Sequence, residues 1–392
     1  MARKSTRNAQ GGGTIRQRAD GRWEARYTVG RDPGTGKQVQ RSVYGSTQKE
    51  VRQKLAQAVA ALDSGTYTAP SKMTVGQWLD IWQQDYLNSV RPRTVEAYCC
   101  QIKNHIKPAL GAIKLEALNS HTVQSFYNSL SQPKGDKPSL SPKSVKNIHG
   151  ILHKALQQAV SIGYIRFNPV DACTLPRVEK KELKPLDEDD TAQFIEAIRG
   201  HRYETVFLVT LFTGMREGEV LGLTWDCVDF ERGTVTINKQ LQKTTTGGSV
   251  YALVPTKNGK GRVVAPAPFV MQLLRAQYRR QIEWRLKAGP VWEESSLVFT
   301  DEMGKHFNHH TVYQNFKRVV ASIGMPEVRF HDLRHSFAVA SIRSGDDIKT
   351  VQGNLGHATA AFTLDVYGHV TDQMKQESAQ RMEGYIKRVM EL

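Results

Sequence analysis

The 392-residue sequence predicts a multidomain, mainly α-helical chain. A small three-stranded β-sheet plus one helix is expected at the N-terminus, helices in the middle, and a mixed α and small β-sheet region at the C-terminus. Three observations carry this reading. Residues 13–44 alternate with a strand-like period around Asp-Gly and Pro-Gly turns. From Thr74 apolar residues recur at helical spacing. Past Leu186 that spacing returns, interrupted by β-branched runs between Val235 and Val264.

Residues 1–10 are polar and basic and are expected to be disordered. Residues 13–18 and 22–29 are alternating runs joined by Ala19-Asp20-Gly21, a strong hairpin signal. The turn 32–37 leads into a third strand, residues 38–44, and Ser46 or Thr47 then caps a helix to about Leu62. One strand face is expected to carry Arg16, Arg18, Arg22, Arg26 and Arg41 at near-alternate positions. An unbacked ladder of arginines is unfavourable unless it faces phosphates, which suggests DNA. A solvated basic tail is the plainer alternative.

Residues 64–72 read as a Gly/Thr/Pro/Ser linker. Beyond it Val75, Trp78, Leu79, Trp82 and Tyr86 mark a first helix, which Arg91-Pro92-Arg93-Thr94 breaks. Helices are predicted over 94–105, 120–130 and 141–162, with Ile106-Lys107-Pro108-Ala109-Leu110-Gly111 ending the first of these. Arg91, Arg93, Lys103, His105, Lys143 and Lys146 are candidate phosphate contacts, or simply solvated helix charges. Asn168-Pro169 and the charged stretch 175–181 close this part. Leu186-Asp187-Glu188-Asp189-Asp190 places acids in the first turn of the next helix. Helices over 187–199, 201–212 and 217–223 follow, then strands between 235 and 264 with a hairpin at 242–251, then a helix over 269–288 and further helices.

The net charge of +16 points to a polyanionic partner, and residues 1–70 hold half of it, with 13 Lys/Arg against 5 Asp/Glu. No run of 18 apolar residues and no apolar N-terminal segment occurs, so a cytoplasmic protein is expected. Four cysteines, Cys99, Cys100, Cys173 and Cys227, show no Cys-x-x-Cys spacing, which argues against a disulfide framework or a zinc ribbon.

The most informative stretch lies near the C-terminal end. His331 and Arg334 are three apart and project from one helix face. An arginine beside a histidine, with a tyrosine hydroxyl downstream, suits chemistry on a phosphodiester: the guanidinium fork matches two phosphate oxygens and tyrosine can act as a covalent nucleophile. Four motifs occur in order: Thr213-Gly214-Met215-Arg216-x-x-Glu219, His331-x-x-Arg334, Leu355-Gly356-His357 and Tyr367-x-His369. Together they resemble the tyrosine recombinase family of lambda-type phage and integrative-element integrases, over about residues 73 to 392.

The resemblance implies an arm-type DNA-binding domain at 1–66, a helical core-binding domain at 73–173, a linker at 174–185 and a catalytic domain at 186–392. It implies strand exchange through a 3′-phosphotyrosine, with Tyr367 attacking the scissile phosphate and releasing a 5′ hydroxyl. Arg216 and Arg334 would clamp the non-bridging oxygens, and Glu219 would orient an arginine or histidine. Lys257, in a turn between strands, would protonate the leaving oxygen, with Lys260 as competitor. His331 would act as base or hydrogen-bond donor and His357 as a second donor, while His335 and His369 would be structural. No metal or nucleotide is implied as cofactor. The implied partners are double-stranded DNA at core and arm sites, with a monomer in solution becoming a homotetramer on DNA, and an accessory excisionase or host DNA-bending protein. Met374, Ser378, Met382, Tyr385, Ile386 and Val389 recur at helical spacing, in a tail that would pack on a neighbouring protomer, or else back in cis.

Three other readings stand beside this one. A relaxing topoisomerase would share the fold. A non-catalytic DNA-binding regulator fits the charge and helices but leaves the Arg216, Lys257, His331, Arg334, His357, Tyr367 set unexplained. A zinc hydrolase using His331 and His335 lacks a Glu next to His331 and would place Arg334 beside a dication.

Overall fold

The computed structural model describes residues 13–31, 35–63, 72–133, 135, 138–179, 185–244, 250–256, 259, 261–356 and 371–390, with the side chains of 244 and 371–378 left aside. Lys257, Lys260, His357, Tyr367 and His369, and the basic segment 1–10, lie outside these residues. The chain divides into two compact units, Met1–Glu179 and Lys180–Leu392.

The first unit holds two separate cores. In the N-terminal one, β1 (Thr14–Gln17), β2 (Trp23–Arg31) and β3 (Gln38–Gly45) form an antiparallel sheet in the order β1-β2-β3, backed by α1 (Gln48–Asp63). Thr47 caps this helix, its hydroxyl accepting from the Glu50 amide at 3.2 Å. Ala25 and Tyr27 on the sheet bury against Val51 and Leu55 of α1.

The arginine ladder differs from expectation in two ways. Arg16 pairs across the strands with Glu24, and Arg26 with Ser42, so these two arginines do share a face. Arg41 pairs with Tyr27 and therefore lies on the opposite face, the one α1 covers. The period of two decides this, because Arg41 and Ser42 are one residue apart. Nor is the ladder unbacked. Glu24, 1% exposed, lies between Arg16 Nε (2.8 Å) and Arg26 Nε (3.0 Å), and also accepts from Ser42 Oγ (2.9 Å) and Tyr44 Oη (3.4 Å). The hydrogen bonds from Arg16 and then Arg26 hold its carboxyl at about 2. Arg22 binds Asp20 at 2.8 Å, and the Arg18 guanidinium lies 5.6 Å from the centre of the Tyr44 ring.

The helical core of this unit begins with α2 (Val75–Asp85). Thr74 and Gln77 form a capping box there, and Val75, Trp78, Leu79 and Trp82 bury. The next helix departs from its expected end. α3 (Pro92–Gln101) runs into a π turn, Ile102–Ile106, and on into α4 (Lys107–Leu110) through Pro108. Proline cannot donate to the carbonyl four residues back. Widening the turn, so that Lys107 N–H donates to Ile102 O, lets the helix pass the proline. α5 (Ser120–Leu130) and α6 (Pro142–Ser161, capped by Ser141) complete the core. Arg91, Arg93, Lys143 and Lys146 are all exposed.

In the second unit α7 (Glu188–Ala197) and α8 (Glu204–Thr213) precede the short α9 (Glu217–Leu221). α8 is apolar on every side and buries Val206, Phe207, Leu208, Val209 and Leu211, which places it at the centre. β4 (Val228–Asp229), β5 (Thr234–Ile237) and β8 (Arg262–Val264) form one small sheet in the order β4-β5-β8, while β6 (Lys239–Thr244) and β7 (Val250–Pro255) form a separate antiparallel pair. The strands on either side of Lys257 thus belong to different sheets. α10 (Pro268–Ala288), α11 (His309–Ser322), α12 (Phe330–Arg343), α13 (Ile348–Leu355) and α14 (Thr371–Val389) follow. None of the described helices is long and apolar enough to cross a membrane.

Candidate active site

Three of the expected residues, Arg216, His331 and Arg334, lie among the described residues, and the fold brings them together. α8 ends at Gly214, whose φ of +63° is the left-handed cap that glycine adopts freely. A Cβ there would lie 2.5 Å from Phe337 and 2.7 Å from Leu355, so side-chain bulk is excluded as well. Two residues on, Arg216 stands at the N-terminus of α9. Its amide donates to Glu219 Oε2 at 3.0 Å and its Nη1 to Glu219 Oε1 at 2.6 Å. The Arg216 side chain remains 28% exposed, so its charge is held from behind and presented outward.

His331 and Arg334 are positioned by the start of α12. Phe330 anchors that turn in an aromatic cluster, with ring centroids 5.9 Å from Phe207 and 5.4 Å from Phe316. Asp332 accepts from the Arg329 amide at 2.8 Å and fixes the helix entry. His331 then faces solvent, whereas Arg334 is 1% exposed. Burying a guanidinium is unfavourable unless its donors are met. Its Nη1 donates to Gly214 O at 2.6 Å and its Nη2 to Leu355 O. Gly214 caps α8 and Leu355 is the last residue of α13, so the cation sits at two helix C-termini, where the backbone dipoles favour it. Arg334 is therefore a strut that joins the Thr213–Glu219 motif to the Leu355-Gly356 motif.

The electrostatics follow from this crowding. Partial loss of hydration, then the Arg334 and Arg216 guanidiniums, hold the His331 pKa below its ordinary value. Both effects favour the neutral imidazole. Its ring centroid lies 4.9 Å from that of His335, which is buried and pushed down to about 4, by burial first and then by His331.

Sequence reasoning missed Arg262. This residue opens β8, and its Nη1 and Nη2 bond Glu219 Oε1 and Oε2 at 3.1 and 2.7 Å, while its Nε donates to Asn354 O at 2.7 Å. Burial pushes the Glu219 carboxyl up, but the Arg262 hydrogen bonds and charge, followed by those of Arg216, hold it at about 2. Nothing in the spacing of Arg262 signals this, because its partners lie 43 and 92 residues away in sequence.

Residues 184–374 match the phage integrase family, and residues 74–131 match the N-terminal SAM-like domain of phage integrases. The two matches together take in well over half of the chain. It belongs to the phage integrase family. The chain is thus a tyrosine recombinase, an enzyme that breaks and rejoins DNA strands. It is 29% identical over 377 residues to a protein named tyrosine recombinase XerC-like from Caldanaerobacter subterraneus subsp. tengcongensis, covering 91% of this chain and 94% of that one. It is 22% identical to the ICEBs1 integrase of Bacillus subtilis, covering 94% and 99% respectively. Among solved structures, the fold is similar to that of the Tn1549 transposon integrase in complex with transposon right-end DNA. The TM-score is 0.67 at 22% identity, covering 79% of this chain and all of that one. It is also similar to a lambda integrase tetramer bound to a Holliday junction, with a TM-score of 0.52 at 20% identity, covering 88% of this chain and 96% of that one.

Proposed function

We propose that this recombinase integrates and excises a phage or conjugative element by cutting DNA with Tyr367. The observation that carries the reading is the convergence of Arg216, His331 and Arg334 where the Thr213–Glu219 and Leu355-Gly356 segments meet, with Tyr367 eleven positions beyond Gly356. The Tyr367 hydroxyl attacks the scissile phosphorus. The bond to the 5′ oxygen of the neighbouring nucleotide breaks, leaving a 3′-phosphotyrosine. A phenol with a pKa of about 10 is a weak nucleophile unless its proton is accepted and the charge growing on the phosphate oxygens is met. His331 takes the proton or bonds the phosphate, Arg216 and Arg334 neutralise the non-bridging oxygens, and Lys257 protonates the departing 5′ oxygen. His357 supplies a further donor. Attack by that 5′ hydroxyl on the phosphotyrosine of a partner strand reverses the step and reseals the DNA, so bond energy is conserved without a nucleotide.

The organisation proposed around this centre follows the family resemblance. Residues 1–66 grip arm sites, 73–173 bind the core site, 174–185 are the linker, 186–392 carry out catalysis, and four protomers assemble on DNA in the cytoplasm. Arg91, Arg93, Lys143 and Lys146 contact phosphates from the helical part. On the arm sheet Arg16 and Arg26 serve this role together, with Arg18 and Arg22 flanking them. The tail helix α14 packs on a neighbouring protomer. Met382, Tyr385, Ile386 and Val389 are each exposed on this helix, an apolar stripe in want of cover. An excisionase or DNA-bending protein sets direction.

The test is a nicked suicide duplex bearing the element's own end sequence, with EDTA present and ATP absent. A denaturing gel is expected to show a covalent protein–DNA adduct with the wild type and none with Tyr367→Phe. DNA binding without an adduct for any end sequence would instead favour the regulator.

A further inference from the structure

We infer that Arg262 is a positioning residue for strand cleavage, aiming Arg216 at the phosphate through their shared carboxylate, Glu219. The inference rests on the proposed function and adds a residue to it.

The geometry has three parts. Glu219 is 1% exposed and has two carboxylate oxygens. Oε1 is shared by Arg216 Nη1 (2.6 Å) and Arg262 Nη1 (3.1 Å), while Oε2 takes Arg262 Nη2 (2.7 Å) and the Arg216 amide (3.0 Å). The pairing with Arg262 is a bidentate fork, which fixes the carboxylate plane as a single contact would not. The position and rotation of Glu219 in turn set both the backbone and the side chain of Arg216. The Arg262 side chain is only 11% exposed, whereas that of Arg216 is 28% exposed. The buried arginine is thus the anchor and the more exposed one is free to meet an anion.

Arg262 is itself held from a third side. Its Nε donates to Asn354 O in α13, and the chain passes so close that a Cβ on Gly356, at φ +63°, would lie 3.0 Å from Arg262 Cδ. Arg262 also opens β8, five residues after Lys257 in sequence. One side chain therefore ties the Arg216 turn and the Asn354–Gly356 segment to β8. Arg334 joins the first two of these segments from the other side. The two arginines differ in role: Arg334 bonds backbone carbonyls, whereas Arg262 acts on a carboxylate that touches another arginine.

A lysine at this position would keep the charge but could not bridge both oxygens and reach Asn354 O. A neutral residue would leave Glu219 buried with only Arg216 to pair it. Arg216 would then be drawn inward to its carboxylate and away from the DNA. A misplacement of about 1 Å at a catalytic group costs on the order of 10²-fold in rate.

The experiment measures single-turnover adduct formation on the nicked end-sequence duplex at saturating protein, with DNA affinity and thermal melting measured in parallel. Wild type, Arg262→Gln, Arg262→Lys, Arg216→Ala and the Arg216→Ala/Arg262→Gln double variant are compared. Arg262→Gln is expected to lower the rate by roughly 10²-fold with DNA affinity within about threefold, and Arg262→Lys to recover part of that loss. In the Arg216→Ala background, Arg262→Gln is expected to cost little further, because its effect passes through Arg216. Arg262→Gln should also gain an acid limb in its rate profile that the wild type lacks, since burial then raises the Glu219 pKa without opposition from Arg262. Losses that simply multiply in the double variant, or a rate for Arg262→Gln equal to wild type, would overturn the inference. If Arg262→Gln fails to fold, the Arg262→Lys rate decides: a value equal to wild type overturns the inference, and a reduced rate at unchanged affinity and melting supports it. A wild type that forms no adduct would overturn the proposed function, and the inference with it.

Discussion

At the scale of single residues, the site is built on charges that sequence alone would place in solvent. Arg334 is the clearest case. The motif placed it correctly on the His331 helix, but a buried arginine becomes intelligible only once the C-terminal ends of α8 and α13 are known to converge, 120 and 21 residues away in the chain. Replacing it by alanine would leave Gly214 O and Leu355 O without this donor, at about 1–3 kcal/mol for each unsatisfied buried group. Arg334→Ala is therefore expected to lower unfolding free energy by at least about 2 kcal/mol, read by denaturant titration, besides abolishing the adduct. Arg334→Lys should lose the adduct with less loss of stability. His335 gives a pH prediction. Its folded pKa of about 4 lies below the ordinary 6.5, so the unfolded chain binds the extra proton first. Its contribution to stability is full above about pH 6.5 and is lost progressively as pH falls toward 4. Denaturation midpoints should fall across that window, and a His335→Gln variant should show a shallower fall. An equally steep fall in the variant would assign the loss to other groups.

At the scale of elements, periodicity and caps were legible and long-range pairing was not. The predicted helix over 120–130 is α5 and that over 141–162 is α6, which Ser141 caps, because these signals are local. The π turn at Ile102–Ile106 was not legible: proline reads as a stop, and whether a helix instead widens to pass it depends on Ile102 and Ile106 being buried in the surrounding core. The N-terminal sheet shows the same division. Its hairpin was legible in Asp20-Gly21, but Glu24 at the heart of the arginine face was not, since its burial needs three strands in register. That register yields a test. If Arg16 and Arg26 each neutralise a phosphate, Arg16→Gln and Arg26→Gln should each reduce the slope of log affinity against log salt by about 0.9 on arm-site duplexes. Arg41→Gln should leave the slope unchanged, because Arg41 lies on the face that α1 covers. Equal reductions for all three would mean that DNA contacts both faces of the sheet.

At the scale of the whole molecule, the division of labour follows from separate cores. One packs the N-terminal sheet on α1, one fills the helical middle, and the second unit packs around α8. Each is continuous in sequence, which is why the order of parts could be read from changes in period. The stripe on α14 was legible in its helical spacing; what sequence could not supply is that Met382, Tyr385, Ile386 and Val389 are left facing solvent. Changing Tyr385 and Ile386 to glutamate is expected to abolish the slow-migrating multimeric complex on native gels while single protomers still bind core DNA. An undiminished multimer would place the stripe against its own protomer or leave it idle.

The central claim concerns one bond, between Tyr367 and a 3′ phosphate. Its most direct test is to trap the adduct on the suicide duplex, digest both components, and identify the nucleotide-bearing peptide by mass spectrometry. The expected peptide spans Tyr367 and carries the nucleotide through its 3′ phosphate, with a free 5′ hydroxyl on the released strand. A nucleotide on any other residue, or linkage through a 5′ phosphate, would contradict the mechanism.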